Sequence, residues 1–371
     1  MNDSAVESLF LHLLSAAIWD KEPDADRYAG LNEATWNSII RLAKQQSSLA
    51  LIADKILGLP EESLPPRPMR ISLYSFAEKV KATNRRMGEV LSTLSAEYAN
   101  EGFPFVLLKG LSNGLNYPQP LLRNPGDIDV LLYRKGDYER AKQWLVAQNI
   151  DMEDGDHIHY KFDKDGVSIE NHHRITYFDN KKYDRLFKEW EQRLFEAGQF
   201  DTVDIAGVAV GQLPAELNAF FIFQHMFRHF VHLGVGFRQF CDWLLFLQRH
   251  KDELSAESFT ALAESYALLY PMQLFARVAA DYLDAPESLF PFPMIAANKH
   301  SEMIIADLMD SGNFGFHRSG KKRPPSKYAG MWFSFVTTIR RSIKFGDISP
   351  EHIRLLPYKK FFNRMRIGFG N

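Results

Sequence analysis

FVLLKGLSNGLNYPQPLLRNPGDIDVLL (105–132) holds two apolar runs separated by turn-forming residues, and its reading decides the fold. Phe103-Pro-Phe-Val-Leu-Leu (103–108) predicts a buried strand running into Lys109-Gly110, residues 111–117 a short helix, and GDIDVLLY (126–133) a second strand. Side chains alternate along a strand, so Asp127 and Asp129 share one face while Ile128 and Val130 take the other. Two neighbouring carboxylates repel each other, and burying them is costly unless a cation neutralises them. Paired oxygen ligands suit Mg²⁺ or Mn²⁺ bound together with a substrate phosphate. The turn at Gly110 would expose backbone N–H groups to that phosphate, Lys109 and Ser112 could add donors, and Arg123 could pair with it.

Downstream, KGDYERAKQWLVAQ (135–148) has the pattern of an amphipathic helix. HIHYKFD (157–163) and VSIENHHRI (167–175) alternate polar and apolar residues around Asp165-Gly166, a hairpin turn signal. Counting by two from Glu170 selects His172, not His173, for the face opposite Val167 and Ile169. If this strand neighbours GDIDVLLY, three carboxylates converge. That is the minimum set for two-metal phosphoryl or nucleotidyl transfer, with one ion activating the attacking oxygen and the other holding a triphosphate. Plainer readings exist for each residue. Asp127 and Asp129 could cap the turn after Gly126, Glu170 could be solvated, Lys109 could cover a strand end, and Arg123 could form a salt bridge with Asp127. A charged helix over 181–198 and a strand or hairpin over 203–213 complete the middle of the chain.

Both flanks read as helical. Residues 4–58 carry helical apolar periodicity, with Asn32 as an N-cap; LPEESLPPRPMR (59–70) reads as a connector, and Ile71 to about Tyr98 as a long helix. From Pro214, Phe-rich helices run to about Met309, followed by a Gly/Pro/Lys loop over 312–330. His225 and His229 stand at i, i+4 spacing, but no Glu follows His225, so the zinc-protease pattern is absent. Packing, with one of these histidines facing the cleft, is the better reading.

The 371 residues are 46% hydrophobic and 24% charged, enough apolar material for a sizeable core and too much for a disordered chain. The single cysteine, Cys241, precludes an internal disulfide and a cysteine-based zinc or iron–sulfur site. The N-terminus lacks the basic segment of a signal peptide, and no apolar run approaches the roughly 20 residues of a membrane span. A cytoplasmic protein is expected. Residues 317–371 carry 13 Lys/Arg against 2 Asp/Glu, whereas the rest holds 31 against 44. The basic tail, including Lys321, Lys322, Arg323, Arg340 and Arg341, either meets an anionic partner or complements the acidic body. That acidic body argues against a nucleic-acid partner.

The run 105–132, followed by Ser168-Ile169-Glu170-Asn171-His172, resembles the uncharacterised nucleotidyltransferase family of the DNA polymerase β superfamily. Lys109, Gly110, Tyr117, Arg123, Asp127, Asp129, Glu170 and His172 carry the match. His225, His229, Arg238, Asp242 and Gly312-Asn313-Phe314-Gly315 extend it more loosely. The usual Gly-Ser of the superfamily is Lys109-Gly110-Leu111-Ser112 here, so Ser112 replaces the phosphate-binding serine only by displacement.

The resemblance implies an α+β fold, with a small mixed-sheet, polymerase β-like nucleotidyltransferase core (99–213) between an N-terminal helical region (1–98) and a C-terminal helical domain with the basic tail (214–371). It implies metal-dependent transfer of an NMP from an NTP to an unidentified small-molecule or protein acceptor. Asp127, Asp129 and Glu170 would be the catalytic and metal-binding carboxylates; Lys109, Gly110, Ser112, Arg123 and His172 would bind the nucleotide. Glu170 could also take the acceptor's proton. A metal-dependent glycosyltransferase also uses Asp-x-Asp, but it needs about a hundred residues of βαβ fold before the motif, where this chain is helical. A catalytically silent nucleotide- or partner-binding protein would not need all three carboxylates.

Overall fold

Asn32 caps its helix as its spacing predicts: the side chain accepts a hydrogen bond from Thr35 N at 2.9 Å. The structure is a computed structural model that describes residues 3–155, 157–312, 324 and 326–359. Helices α1 (Asp3–Ile18), α2 (Glu33–Gln45) and α3 (Leu49–Leu57) precede the 35-residue α4 (Arg67–Glu101). The expected connector ends earlier than proline content suggests, because a proline fits the first turn of α4, where its missing N–H costs nothing.

Strands β1 (Val106–Leu107), β2 (Ile128–Leu131), β3 (Met152–Asp154), β4 (His159–Lys164), β5 (Val167–His172), β6 (Asp201–Ile205) and β7 (Val208–Gln212) form one mixed sheet in the order β3-β4-β5-β2-β1-β7-β6. Short α5 (Leu111–Gly114) follows β1, α6 (Asp137–Ala147) follows β2, and α7 (Lys181–Ala197) follows β5. At the β4–β5 turn Asp165 and Gly166 both take positive φ, 54° and 78°, the type I′ conformation whose twist matches a two-residue hairpin. β5 then pairs in parallel with β2, aligning Asp129 with Glu170. The edge strand β3 is not announced by the sequence: Met152-Glu-Asp is mostly exposed and lacks alternation.

One face of the sheet is apolar. Ile128, Val130 and Ile169 pack there with Val90, Leu91 and Leu94 of α4 and Leu145 of α6. Asn171 is pinned on this side by donating to the Tyr98 and Tyr160 hydroxyls at 2.6 and 2.9 Å. The other face is roofed by α8 (Ala215–His232) and α9 (Phe237–His250). Beyond them lie α10 (Ala256–Ser265), α11 (Leu269–Tyr282), α12 (Lys299–Ser311), α13 (Lys327–Phe345) and α14 (Pro350–Ile353).

The two helical flanks share one core. Phe10 meets Phe237 edge-on at 5.6 Å, and the Gln46 side chain donates to Leu308 O while accepting from Phe237 N. Four described cations of the basic tail pair within the chain: Arg341 forms a buried ion pair with Asp307 at 2.8 Å, Lys344 reaches the same carboxylate, Arg354 meets Asp347, and Lys359 lies 3.6 Å from Asp179. Lys321, Lys322, Arg323 and Asn313–Gly315 lie outside the described residues. No described helix is long and apolar enough to cross a membrane.

Candidate active site

Strand pairing assembles the floor of the site. Lys161, Glu170 and Asp129 stand side by side on β4, β5 and β2, and Asp127 precedes β2 by one residue. Asp127, Asp129 and Glu170 each offer a carboxylate oxygen, all within 4.8 Å of one another. Asp129 is fully buried. Its Oδ1 faces Lys109 Nζ at 3.0 Å and His172 Nε2 at 3.1 Å, while Oδ2 is buried with no hydrogen-bond partner among the described residues. Lys161 pairs with Glu170 Oε1. Gly110 is required by space: at φ 72°, a Cβ would stand 2.7 Å from the Asp127 carbonyl oxygen, so any side chain there would push the turn off β2.

Proximity sets the ionisation of this cluster. The Asp129 charge, then burial, pushes the Asp127 carboxyl up to about 6. Burial works against the Glu170 carboxylate, but hydrogen bonds from His172 and Lys161 and the Lys109 charge win and hold it below its ordinary value. Burial likewise opposes the charged forms of Lys109 and His172, yet the facing carboxylates, Asp129 foremost, raise both. An oxygen-only trio, one member strained by repulsion and another with an idle buried oxygen, fits a hard divalent cation.

Above this floor is a cavity of about 570 Å³ whose far wall comes from α8 and α9. His225 and His229 of α8 face each other with Nε2 atoms 3.0 Å apart, one donating and one accepting. Burial, Lys109 and neighbouring cations hold both imidazoles well below their usual pKa, hence neutral. Arg228 lies over the Tyr177 ring at 4.3 Å and also lines the cavity. Arg238 donates to Asn124 O and Pro125 O, tying α9 to the loop before Asp127.

Lys109, Gly110, Arg123, Asp127, Asp129, Glu170 and His172 all line the cavity. Ser112 does not. Its side chain is buried and Asn113 takes the place on the wall, because the single turn of α5 directs the two residues apart. Arg123 has a partner other than the expected Asp127: its Nε and Nη2 each donate to an Asp242 oxygen at 2.7 Å, and the Tyr117 hydroxyl donates to the same carboxylate at 2.8 Å. Its fork is therefore filled by an α9 residue before any phosphate arrives. His173 points to the opposite face, beside Tyr138.

Sequence reading missed His159, Lys161 and Arg228. The first two were within reach. A two-residue turn at Asp165-Gly166 pairs Lys164 with Val167, and counting outward puts Lys161 beside Glu170 and His159 beside His172.

A family model described as an uncharacterised nucleotidyltransferase matches residues 32–284 of the chain. No curated protein matches it. Among solved structures, the chain is similar to the crystal structure of an antigenic nucleotidyltransferase-like protein from Paracoccidioides brasiliensis, at 15% identity and a TM-score of 0.32, over 53% of this chain and 92% of that one.

Proposed function

Because the chain belongs to the uncharacterised nucleotidyltransferase family, we propose that it transfers a nucleotidyl group from an NTP to a small-molecule or protein acceptor, with Mg²⁺ or Mn²⁺ held by Asp127, Asp129 and Glu170. The observation that carries this reading is the convergence of those three carboxylates at the base of a cation-walled cavity. A bound divalent ion would polarise the phosphate being attacked and offset the charge that develops there. The remaining work falls to the chain's own groups.

Glu170, held ionised by His172 and Lys161, suits a permanent ligand and makes a weak proton acceptor, so taking the acceptor's proton is the lesser of its two expected roles. Lys109 neutralises Asp129 in the resting site and is placed to turn its ammonium to a phosphate when a cation joins Asp129. Arg228, on the opposite wall, offers a second charge to the triphosphate. Arg123, by contrast, positions the roof through Asp242.

The test is incubation of the protein with mixed NTPs, Mg²⁺ and cell extract, followed by mass spectrometry for a molecule that gains a nucleotidyl mass. Such a product, absent with Asp127→Asn, is expected. No product, together with no Mg²⁺-dependent stabilisation by any NTP, would reject the proposal.

A further inference from the structure

His159, Glu170 and His172 form a second convergent group, distinct in chemistry from the carboxylate trio, with one ligand atom from each lying within 4.8 Å of the others. Register places them: His159 and His172 are cross-strand partners on β4 and β5, and Glu170 is two residues before His172 on the same face. The two oxygens of Glu170 are divided. Oε1 meets Lys161, while Oε2 faces the Nε2 atoms of both imidazoles, at 3.6 Å for His159 and 3.4 Å for His172.

Those separations are longer than an ordinary N–H···O hydrogen bond, so the one that His172 gives Glu170 is a stretched one. They match donors sharing one small ion: metal–ligand bonds of about 2.0–2.1 Å at a tetrahedral angle put ligand atoms roughly 3.3 Å apart. The backbone makes room for the arrangement at Gly155, where a Cβ would collide with the His159 ring. Two imidazoles and a carboxylate suit Zn²⁺ and its transition-metal neighbours, and suit Mg²⁺ poorly, since Mg²⁺ prefers oxygen.

We propose that His159, Glu170 and His172 form a site for a transition-metal ion such as Zn²⁺, adjacent to the carboxylate trio and sharing Glu170 with it. Three protein ligands leave a fourth position open to water or a substrate oxygen.

The test uses the full chain, freed of metal by chelation, with Zn²⁺ titrated calorimetrically and Co²⁺ followed by its visible d–d absorption. Wild type is expected to bind one Zn²⁺ tightly, and X-ray absorption of that complex should report two imidazole ligands. His159→Gln should weaken Zn²⁺ by at least ~100-fold, and Asp127→Asn, which removes a neighbouring charge but no ligand, by much less than His159→Gln. Zn²⁺ affinity unchanged in His159→Gln, or lost in Asp127→Asn alone, would overturn the proposal, as would a wild-type spectrum without imidazole scattering. The spectrum keeps the test decisive if His159→Gln fails to fold. None of these readouts involves an NTP, so failure of nucleotidyl transfer leaves them intact.

Discussion

The floor and the roof of the cavity treat their buried imidazoles in opposite ways. The floor keeps its charges and pairs them: Asp129 with Lys109 and His172, and Glu170 with Lys161. The roof discharges its imidazoles, leaving His225 and His229 neutral and bonded to each other, and neutralises Arg123 with Asp242. The floor's mixture includes a repulsion, foremost between Asp127 and Asp129, that Lys109 offsets only in part. A cation there relieves strain already present, whereas an added cation on the roof would meet Arg228 and Arg238. Under the proposed function, the difference makes the floor the better side for a cation.

Removing a floor carboxylate should have the largest effect. Asp127→Asn or Asp129→Asn is expected to cut nucleotidyl transfer by at least ~10³-fold, measured as initial rates on whichever acceptor mass spectrometry identifies. Either variant retaining near wild-type rates would transfer the site to another part of the cavity.

Breaking one buried ion pair on each side comes next. Asp129→Asn leaves Lys109 and His172 facing an amide, and Asp242→Asn leaves Arg123 underpaired; each should cost ~3–5 kcal/mol in urea unfolding of the chelated protein. Only Asp129→Asn should also abolish stabilisation by Mg²⁺ with NTP. Loss of that stabilisation in Asp242→Asn as well would mean that the roof takes part in holding the ion.

Asp127→Asn should move the other way. The folded-state value of about 6 exceeds the unfolded value of 3.8, so the folded state holds the proton longer and stability falls as pH rises from about 4 to 6. The variant should remove that slope and be ~1–3 kcal/mol more stable than wild type at pH 7.5 without metal. Thermal melts of both proteins across that window check it; equal slopes would mean that Lys109 already absorbs the repulsion.

The smallest expected effect belongs to the roof histidines. Their folded pKa values are depressed below 6.5, so the unfolded state binds protons first and stability is lost as pH falls through 6.5. Replacing both by Gln should reduce the loss between pH 6.5 and 5.5 by ~1–2 kcal/mol, read from urea midpoints at the two values. An unchanged loss would place the acid-sensitive groups elsewhere, His352 being the next buried imidazole held neutral.

Much of the floor is legible in the sequence. Alternation put Asp127 and Asp129 on one face, an Asp-Gly turn closed β4 onto β5, and parity chose His172 over His173. These are decisions made within a few residues, by backbone geometry that each residue carries with it. Most helices of the two flanks were equally plain from their apolar stripes, but α13 was not: it begins at Lys327, inside the stretch 312–330 read as a loop.

What neighbours what was decided only by the tertiary structure. The parallel registry of β2 with β5, the pairing of β7 with β1 and the short edge strand β3 depend on how the whole sheet closes. Arg123 found Asp242, 119 residues away, because α9 packs over the loop before β2; Asp127, four residues on, was nearer in sequence but faces the other carboxylates. Ser112 was lost to the interior because one helical turn points successive side chains apart. Spacing along a chain specifies which face a side chain takes. Its partner is selected by packing, which depends on contacts among segments that carry no mark of one another in sequence.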